Sequence, residues 1–178
     1  MNKRSSSAAK SVCLVGICAA TLECVKLALA FIPNVEGVTL LTALYGYAFG
    51  IYGVISSLVF VSIEPMIYGF GSWVISYYLY WPVLAATFAL LGRLKRGGRI
   101  IPTVTALLGT LWFGVLTSLV EVGLFSGYFD NFLYRFWIYY VRGLPFYIAQ
   151  LVTNLVLFPL IFPYLSEKLQ AMYKKFTS

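Results

Sequence analysis

Hydrophobic residues in this chain are grouped into five long blocks that polar segments separate. The blocks run over 11–32, 38–63, 72–91, 100–122 and 143–165. An apolar run of about 20 residues is long enough to cross the hydrocarbon core of a bilayer as a helix. The pattern therefore predicts an all-α membrane protein in which every block crosses the membrane at least once.

The second block is ambiguous, because Gly46, Gly50 and Gly53 interrupt it. It forms either one long helix or two short helices that reverse direction near Gly50–Gly53, where glycine permits a tight turn. Two helices of about 12–14 residues would each be only about 20 Å long. Helices of that length must tilt or be shielded by their neighbours.

Positive charge decides between these two arrangements. Basic residues accumulate in the cytoplasmic segments of membrane proteins. Ten of the thirteen basic residues form three patches beside apolar blocks, namely Lys3, Arg4 and Lys10, then Arg93, Lys95, Arg96 and Arg99, and finally Lys168, Lys174 and Lys175. The three patches lie on one side only if the second block turns back. We therefore predict six transmembrane helices with the N- and C-termini in the cytoplasm.

The predicted chain has three parts, which are a cytoplasmic tail over 1–10, a six-helix transmembrane domain over 11–165 and a cytoplasmic tail over 166–178. A cleaved signal peptide is the alternative for the first block, since Ala28-Leu29-Ala30 resembles a cleavage site. The block is about 22 residues long, which favours a helix that stays in the membrane. Glu23 and Lys26 would also interrupt the apolar region of a signal.

Composition supports lipid as the solvent of this chain. Hydrophobic residues make up 61% of its 178 residues and charged residues only 11%, whereas soluble chains are about 45–50% apolar and about 25% charged. The net charge of +7 does not indicate nucleic-acid binding, because no basic stripe with stacking aromatic residues lies outside the apolar blocks. These features predict a multi-pass membrane protein.

Neither metal binding nor catalysis is expected. Cys13, Cys18 and Cys24 all lie in the first block, where helix geometry disfavours a disulfide framework, and we interpret them as small packing residues. The sequence contains no histidine, which removes a common zinc ligand and the commonest general base. It also contains no phosphate-binding loop and no hydrolase or metalloprotease motif.

The predicted outer side contains the polar and aromatic segments 33–37, 64–73 and 123–143. The aromatic residues suit a belt at the lipid headgroups, and the long segment 123–143 also suits a lid over a ligand. Polar groups on several helices at one depth indicate a pocket. We predict that its ligand contacts Lys26, Asn34, Glu36, Glu64, Tyr68, Trp73, Tyr77, Glu121, Arg135, Arg142, Gln150 and Asn154.

Structural roles compete with ligand contact for several of these residues. Glu23 and Lys26 lie one turn apart on the first helix and can pair with each other, since charge within a span is usually paired. Gln150 and Asn154 share one face of the last helix and can hydrogen-bond to a neighbouring helix. The sequence leaves both roles open.

Small residues recur at every fourth position of the first helix, at Gly16, Ala20, Cys24 and Ala28. This stripe lies on a different face from Glu23 and Lys26. Small residues let another helix approach closely in lipid, where association depends on close packing. The partner helix belongs either to the same chain or to another protein.

Six predicted spans, cytoplasmic termini and a small-residue stripe on helix 1 resemble the S component of an energy-coupling factor (ECF) transporter, a class of ABC importer. The strings "FIPNVEGVTLLTALYGYAFG" (31–50) and "EPMIYGFGSWVISYYLYWP" (64–82) are similar to those of firmicute members. The resemblance covers roughly residues 11–165. The family's shared motif is Ala-x-x-x-Ala on helix 1, whose place Gly16, Ala20 and Cys24 take here.

The resemblance implies a location in the bacterial cell membrane and a transport mechanism. An S component binds a vitamin from outside, associates with a membrane T component and two cytoplasmic ATPase subunits, and topples so that its site opens inward. By this resemblance Gly16, Ala20 and Cys24 would dock on the T component. The chain itself would need no bound cofactor, because the partner subunits would use the ATP.

The same strings are most similar to the branch associated with cobalamin (vitamin B12), which is the expected substrate. Pyridoxine, thiamine or hydroxymethylpyrimidine would fit the tyrosines and tryptophans equally well, and Arg135 and Arg142 suit a phosphate or carboxylate. The alternatives from other classes are a small membrane enzyme and a structural membrane protein.

Overall fold

The computed structural model describes residues 3–32, 37–126 and 130–177, with side chains from Ala8 onward. These residues form six α-helices and no strand. The helices are α1 (Lys3–Leu29), α2 (Val38–Phe49), α3 (Ile51–Tyr68), α4 (Trp73–Arg93), α5 (Ile100–Val120) and α6 (Phe132–Thr177), and a π-helical turn (Glu121–Phe125) continues α5. All the helices except α2 are long and apolar enough to cross a membrane, which makes five candidate spans.

The second apolar block reverses direction at Gly50, as predicted. Gly50 separates α2 from α3 and has a φ of 59°, a conformation that glycine adopts readily. The two helices are antiparallel neighbours, because Gly53 lies directly against the backbone of Tyr45 and Gly46. The block therefore contains α2, of 12 residues, and most of α3, which continues beyond the block and has 18 residues instead of the 12–14 expected.

The short helix α2 lies at the centre of the bundle. It contacts α1, α3, α4, α5 and α6, and 11 of its 12 residues are buried. Such a helix is about 18 Å long and does not match a bilayer core of about 30 Å. Its neighbours shield it from lipid, which is one of the two solutions expected for a helix of this length.

The three basic patches lie at one end of the bundle. The ammonium group of Lys10 donates a hydrogen bond to the carbonyl of Phe176 at 2.9 Å, which brings the two terminal segments together. The hydroxyl of Tyr47 lies against Gly97 in the loop after α4, and Gln170 donates to the carbonyl of Tyr47 at 3.4 Å. The cytoplasmic location of this end stays a prediction.

The aromatic segment 123–143, which was predicted to form a lid, is largely part of helix α6. Helix α6 begins at Phe132 instead of near Gly143 and continues to Thr177. No glycine or proline lies between Phe132 and Arg142, and stacked rings at i, i+4 spacing join Phe132 to Phe136 at 6.2 Å and Phe136 to Tyr140 at 6.0 Å. These contacts favour a continuous helix. Both predicted tails are also largely helical, because α1 begins at Lys3 and α6 ends at Thr177.

Gly46→Ala is expected to destabilise the protein. A Cβ atom at Gly46 would collide with the backbone of Ala85 on α4, which cannot move without separating two helices. Overpacking of this kind costs about 1–3 kcal/mol and lowers the midpoint of thermal unfolding in detergent. Gly16→Ala is the control, because nothing lies within 4 Å of its Cβ position. Equal midpoints for the two variants would contradict the close contact between α2 and α4.

Candidate ligand-binding site

An interhelical ion pair anchors the end of the bundle opposite the basic patches. Lys26 lies in the last turn of α1, and its ammonium group pairs with Oε2 of Glu64 near the end of α3. Glu64 is fully buried, whereas the Lys26 side chain is 26% exposed. Since removal of one partner leaves an uncompensated buried charge, the pair fixes α1 against α3.

Aromatic rings surround the Lys26 ammonium group. Its nitrogen lies 4.5 Å from the ring centre of Tyr68, 5.3 Å from that of Tyr77 and 5.9 Å from that of Phe60. Cations are attracted to aromatic faces at these distances. Glu64, Tyr68 and Tyr77 therefore surround Lys26, and all four residues belong to the predicted ligand set.

The predicted pairing of Glu23 with Lys26 is replaced by the pair with Glu64. Glu23 is only 7% exposed, and its carboxyl group lies close enough to the Glu64 carboxyl group for the two to interact electrostatically. Within the described residues no group donates to either oxygen of Glu23 or to Oε1 of Glu64. Buried acceptors without a donor are costly, so this cluster is chemically suited to a bound group that brings hydrogen-bond donors.

A wall of aromatic residues leads from this cluster toward α5. The ring of Trp73 packs on Tyr77 at 5.0 Å, and Tyr77 packs on Trp81 at 5.8 Å. Phe113 of α5 joins the wall, with ring centres 6.1 Å from Tyr77 and 4.8 Å from Tyr80. The predicted residue Trp73 thus reaches the Lys26 cluster through Tyr77.

A cavity of about 380 Å³ lies on the other side of Phe113, between α5 and α6. Its position matches the predicted pocket only in part. Of the predicted ligand residues that the structure describes, Arg142 and Gln150 line this cavity and the others do not. The full lining is Phe113, Thr117, Tyr139, Arg142, Gly143, Phe146, Tyr147 and Gln150. Aromatic walls with a few polar groups are typical of small-molecule sites.

A smaller cavity of about 160 Å³ adjoins the first and shares Tyr139 and Arg142 with it. Arg135 also lines the smaller cavity and donates a hydrogen bond to the carbonyl of Ser126 at 2.8 Å. Two guanidinium groups in one region attract carboxylate or phosphate. Glu121 lies within electrostatic range of Tyr139 and partly offsets this positive charge.

The remaining predicted ligand residues lie elsewhere. Asn154 is 1% exposed and donates to the hydroxyl of Thr110 at 3.0 Å, which is the interhelical role that the sequence left open. Asn34 and Glu36 fall outside the described residues. The structure therefore divides the predicted set between the Lys26 cluster and the α5–α6 cavities.

Several residues that line the larger cavity were missed, among them Thr117, Phe146 and Tyr147. The sequence spacing that could have identified some of them becomes apparent once α6 is known to begin at Phe132. Tyr139, Arg142, Phe146 and Gln150 follow each other at spacings of three or four, so they share one face of a helix. The expectation of a non-helical lid over this segment hid the spacing.

The small-residue stripe of α1 faces away from the bundle. Gly16, Ala20, Cys24 and Ala28 are all exposed, whereas Glu23 on the other face is buried. Of the two partners that the sequence allowed, a helix of the same chain is therefore not the one that covers the stripe. The thiols of Cys13, Cys18 and Cys24 are all free, and only Cys18 is buried.

Comparisons with known proteins identify no relative of this chain. No family model, no curated protein and no solved structure matches the chain. In the part of the chain that the structure describes, no group of three or more cysteine, aspartate or glutamate residues is placed to hold a metal ion.

Lys26→Leu is expected to lower the thermal unfolding midpoint more than Glu64→Leu does. Without Lys26, two buried carboxyl groups lose the cation beside them, and breaking a buried pair costs about 3–5 kcal/mol. Without Glu64, the ammonium group can still pair with Glu23 one turn away. The measurement is thermal unfolding of each purified variant at neutral pH.

Lys168→Leu serves as the control for loss of a lysine. Its ammonium group packs over the ring of Tyr164 at 4.2 Å on the exposed surface of α6, and exposed charges contribute little to stability. A larger loss for Glu64→Leu than for Lys26→Leu would refute the arrangement of two carboxyl groups around one cation.

Proposed function

We propose that the chain is the substrate-binding S component of an ECF-type importer. The observation that carries the proposal is the contrast between the two ends of the bundle. The basic patches gather at one end, and charged, aromatic and cavity-lining residues from α1, α3, α4, α5 and α6 gather toward the other. A substrate binder with a cytoplasmic docking side and an outward-facing site needs this polarity.

The two faces of α1 support the same proposal. The buried face carries Glu23 and contributes Lys26 to the charged cluster, while Gly16, Ala20 and Cys24 form a smooth exposed face. An exposed small-residue face suits a helix of a second membrane protein, which can then approach closely. In the proposed complex this partner is the T component, and two ATPase subunits supply the energy.

The substrate is proposed to be a vitamin or precursor of modest size. The larger cavity of about 380 Å³ is near the lower end of the range of about 300–1,000 Å³ for small-molecule sites. Pyridoxine, thiamine or hydroxymethylpyrimidine fits this volume better than cobalamin, for which α5 and α6 would have to separate. Arg142 and Arg135 favour a substrate, or a phosphorylated form of it, that carries negative charge.

Mass spectrometry of small molecules released from the purified protein tests the binding role. Wild-type protein is expected to retain a vitamin-like compound, and Arg142→Gln to bind it at least tenfold more weakly, which corresponds to about 1.4 kcal/mol. Arg96→Gln, in the basic loop at the other end, is the control and should bind normally. Wild-type affinity in Arg142→Gln would place the site elsewhere.

Gly16→Trp and Ala20→Trp are expected to abolish uptake while substrate binding stays nearly unchanged. A bulky ring on the exposed stripe would prevent close approach of the partner helix without entering the bundle. Uptake by cells that express the chain with T and ATPase subunits provides the measurement, together with copurification of those subunits.

Leu160→Trp is the control for a bulky ring on a lipid-facing surface, because Leu160 of α6 is 70% exposed. This variant should support normal uptake. If the stripe variants also transport normally, or if the three variants fail alike, the proposed docking face is wrong.

A further inference from the structure

A groove at the basic end of the bundle has no role in the proposed substrate site. It lies between the first half of α1 and the last turns of α6, and it has a volume of about 390 Å³. Its lining is apolar except at one lysine and consists of Cys13, Leu14, Ile17, Phe49, Leu169, Met172, Tyr173, Lys175 and Phe176.

The groove opens toward the surroundings of the bundle. Ile17, in the first predicted span, is 64% exposed, and Met172, in the helical segment that follows the last predicted span, is 65% exposed. The groove therefore crosses the predicted boundary between the hydrocarbon core and the headgroups. An empty apolar groove in such a place would forfeit dispersion contacts along its walls. The apolar part of the groove, which includes Leu14, Ile17 and Leu169, is therefore suited to a hydrocarbon chain.

Positive charge marks the rim of the same groove. Lys175 lines it directly. The ammonium group of Lys10 donates to the carbonyl of Phe176 and lies 5.4 Å from the centre of its ring, which holds a second charge beside Phe176. An ammonium group carries three donors, so Lys10 can bind an anion while it keeps this bond. The nearby acid Glu167 lies toward Tyr47 of α2.

A second lipid-facing groove provides a comparison within the same molecule. It lies between α4 and α5 and has a volume of about 300 Å³. Its lining contains no charged residue and consists of Tyr80, Val83, Leu84, Thr87, Thr105, Leu108, Gly109 and Trp112. Apolar walls are thus common to both grooves, and the pair of lysines distinguishes the first.

We propose that the α1–α6 groove is a binding site for an anionic phospholipid. One acyl chain lies along Leu14, Ile17 and Leu169, and the phosphate is held by Lys10 and Lys175. Basic pockets between membrane helices bind anionic headgroups because charge attraction adds to apolar contact. The α4–α5 groove accepts acyl chains without selecting a headgroup.

Native mass spectrometry of the full chain with phosphatidylglycerol and phosphatidylcholine of identical acyl chains tests the proposal. Wild-type protein should retain the anionic lipid preferentially. In the double variant Lys10→Gln/Lys175→Gln, the preference for the anionic lipid should fall about fivefold for each lysine removed. This factor is the typical contribution of one basic residue at a membrane surface. The double variant Arg93→Gln/Arg96→Gln removes equal charge at the same end and should retain the preference.

Two further variants separate the groove from the membrane surface in general. Ile17→Trp should fill the α1–α6 groove and reduce retention of the anionic lipid. Val83→Trp should fill the α4–α5 groove and leave the headgroup preference unchanged. Both side chains are exposed in the isolated chain, so neither variant disturbs the core of the bundle.

Three results would overturn the proposal. The first is a wild-type protein without headgroup preference. The second is an equal loss in the lysine and arginine double variants, which would mean diffuse attraction of lipid by the whole basic end. The third is a dimer that Ile17→Trp dissociates while the headgroup preference persists, which would assign the groove to a second copy of the chain.

Discussion

The arrangement of this bundle depends on the burial of a helix that is too short for the membrane. Helix α2 has 12 residues, and a helix of that length leaves polar backbone ends at a depth where lipid cannot satisfy them. The surrounding helices must therefore enclose it. Glycines make this close packing possible. Gly46 lies against the backbone of Ala85, Gly53 against that of Tyr45, and Gly92 against that of Tyr47.

The reversal after α2 also determines the polarity of the whole molecule. It returns the chain so that the loop after α4 meets Tyr47, and so that Lys10 meets Phe176 at the same end. Lys26 and Glu64 join α1 to α3 toward the other end. One end thus collects basic residues, and the other collects the buried ion pair, the aromatic rings around it and the larger cavity.

The sequence by itself determined the all-helical class, the positions of the apolar blocks and a reversal near Gly50–Gly53. These features follow from local properties, which are the length of an apolar run, the conformational freedom of glycine and the distribution of lysine and arginine. It also predicted that the small-residue stripe of α1 and the charged face with Glu23 serve different partners. The i, i+4 geometry of a helix separates those faces without any knowledge of neighbouring helices.

Only the tertiary structure decided which polar groups meet. Lys26 pairs with Glu64 instead of Glu23, Asn154 bonds to Thr110, and the cavity forms between α5 and α6. Each of these contacts joins residues that are far apart in the sequence, so its formation depends on which helices pack together and at what depth. In lipid that choice rests on the close fit of small residues and on interhelical polar contacts, and the periodicity of one helix does not encode the surface of its neighbour.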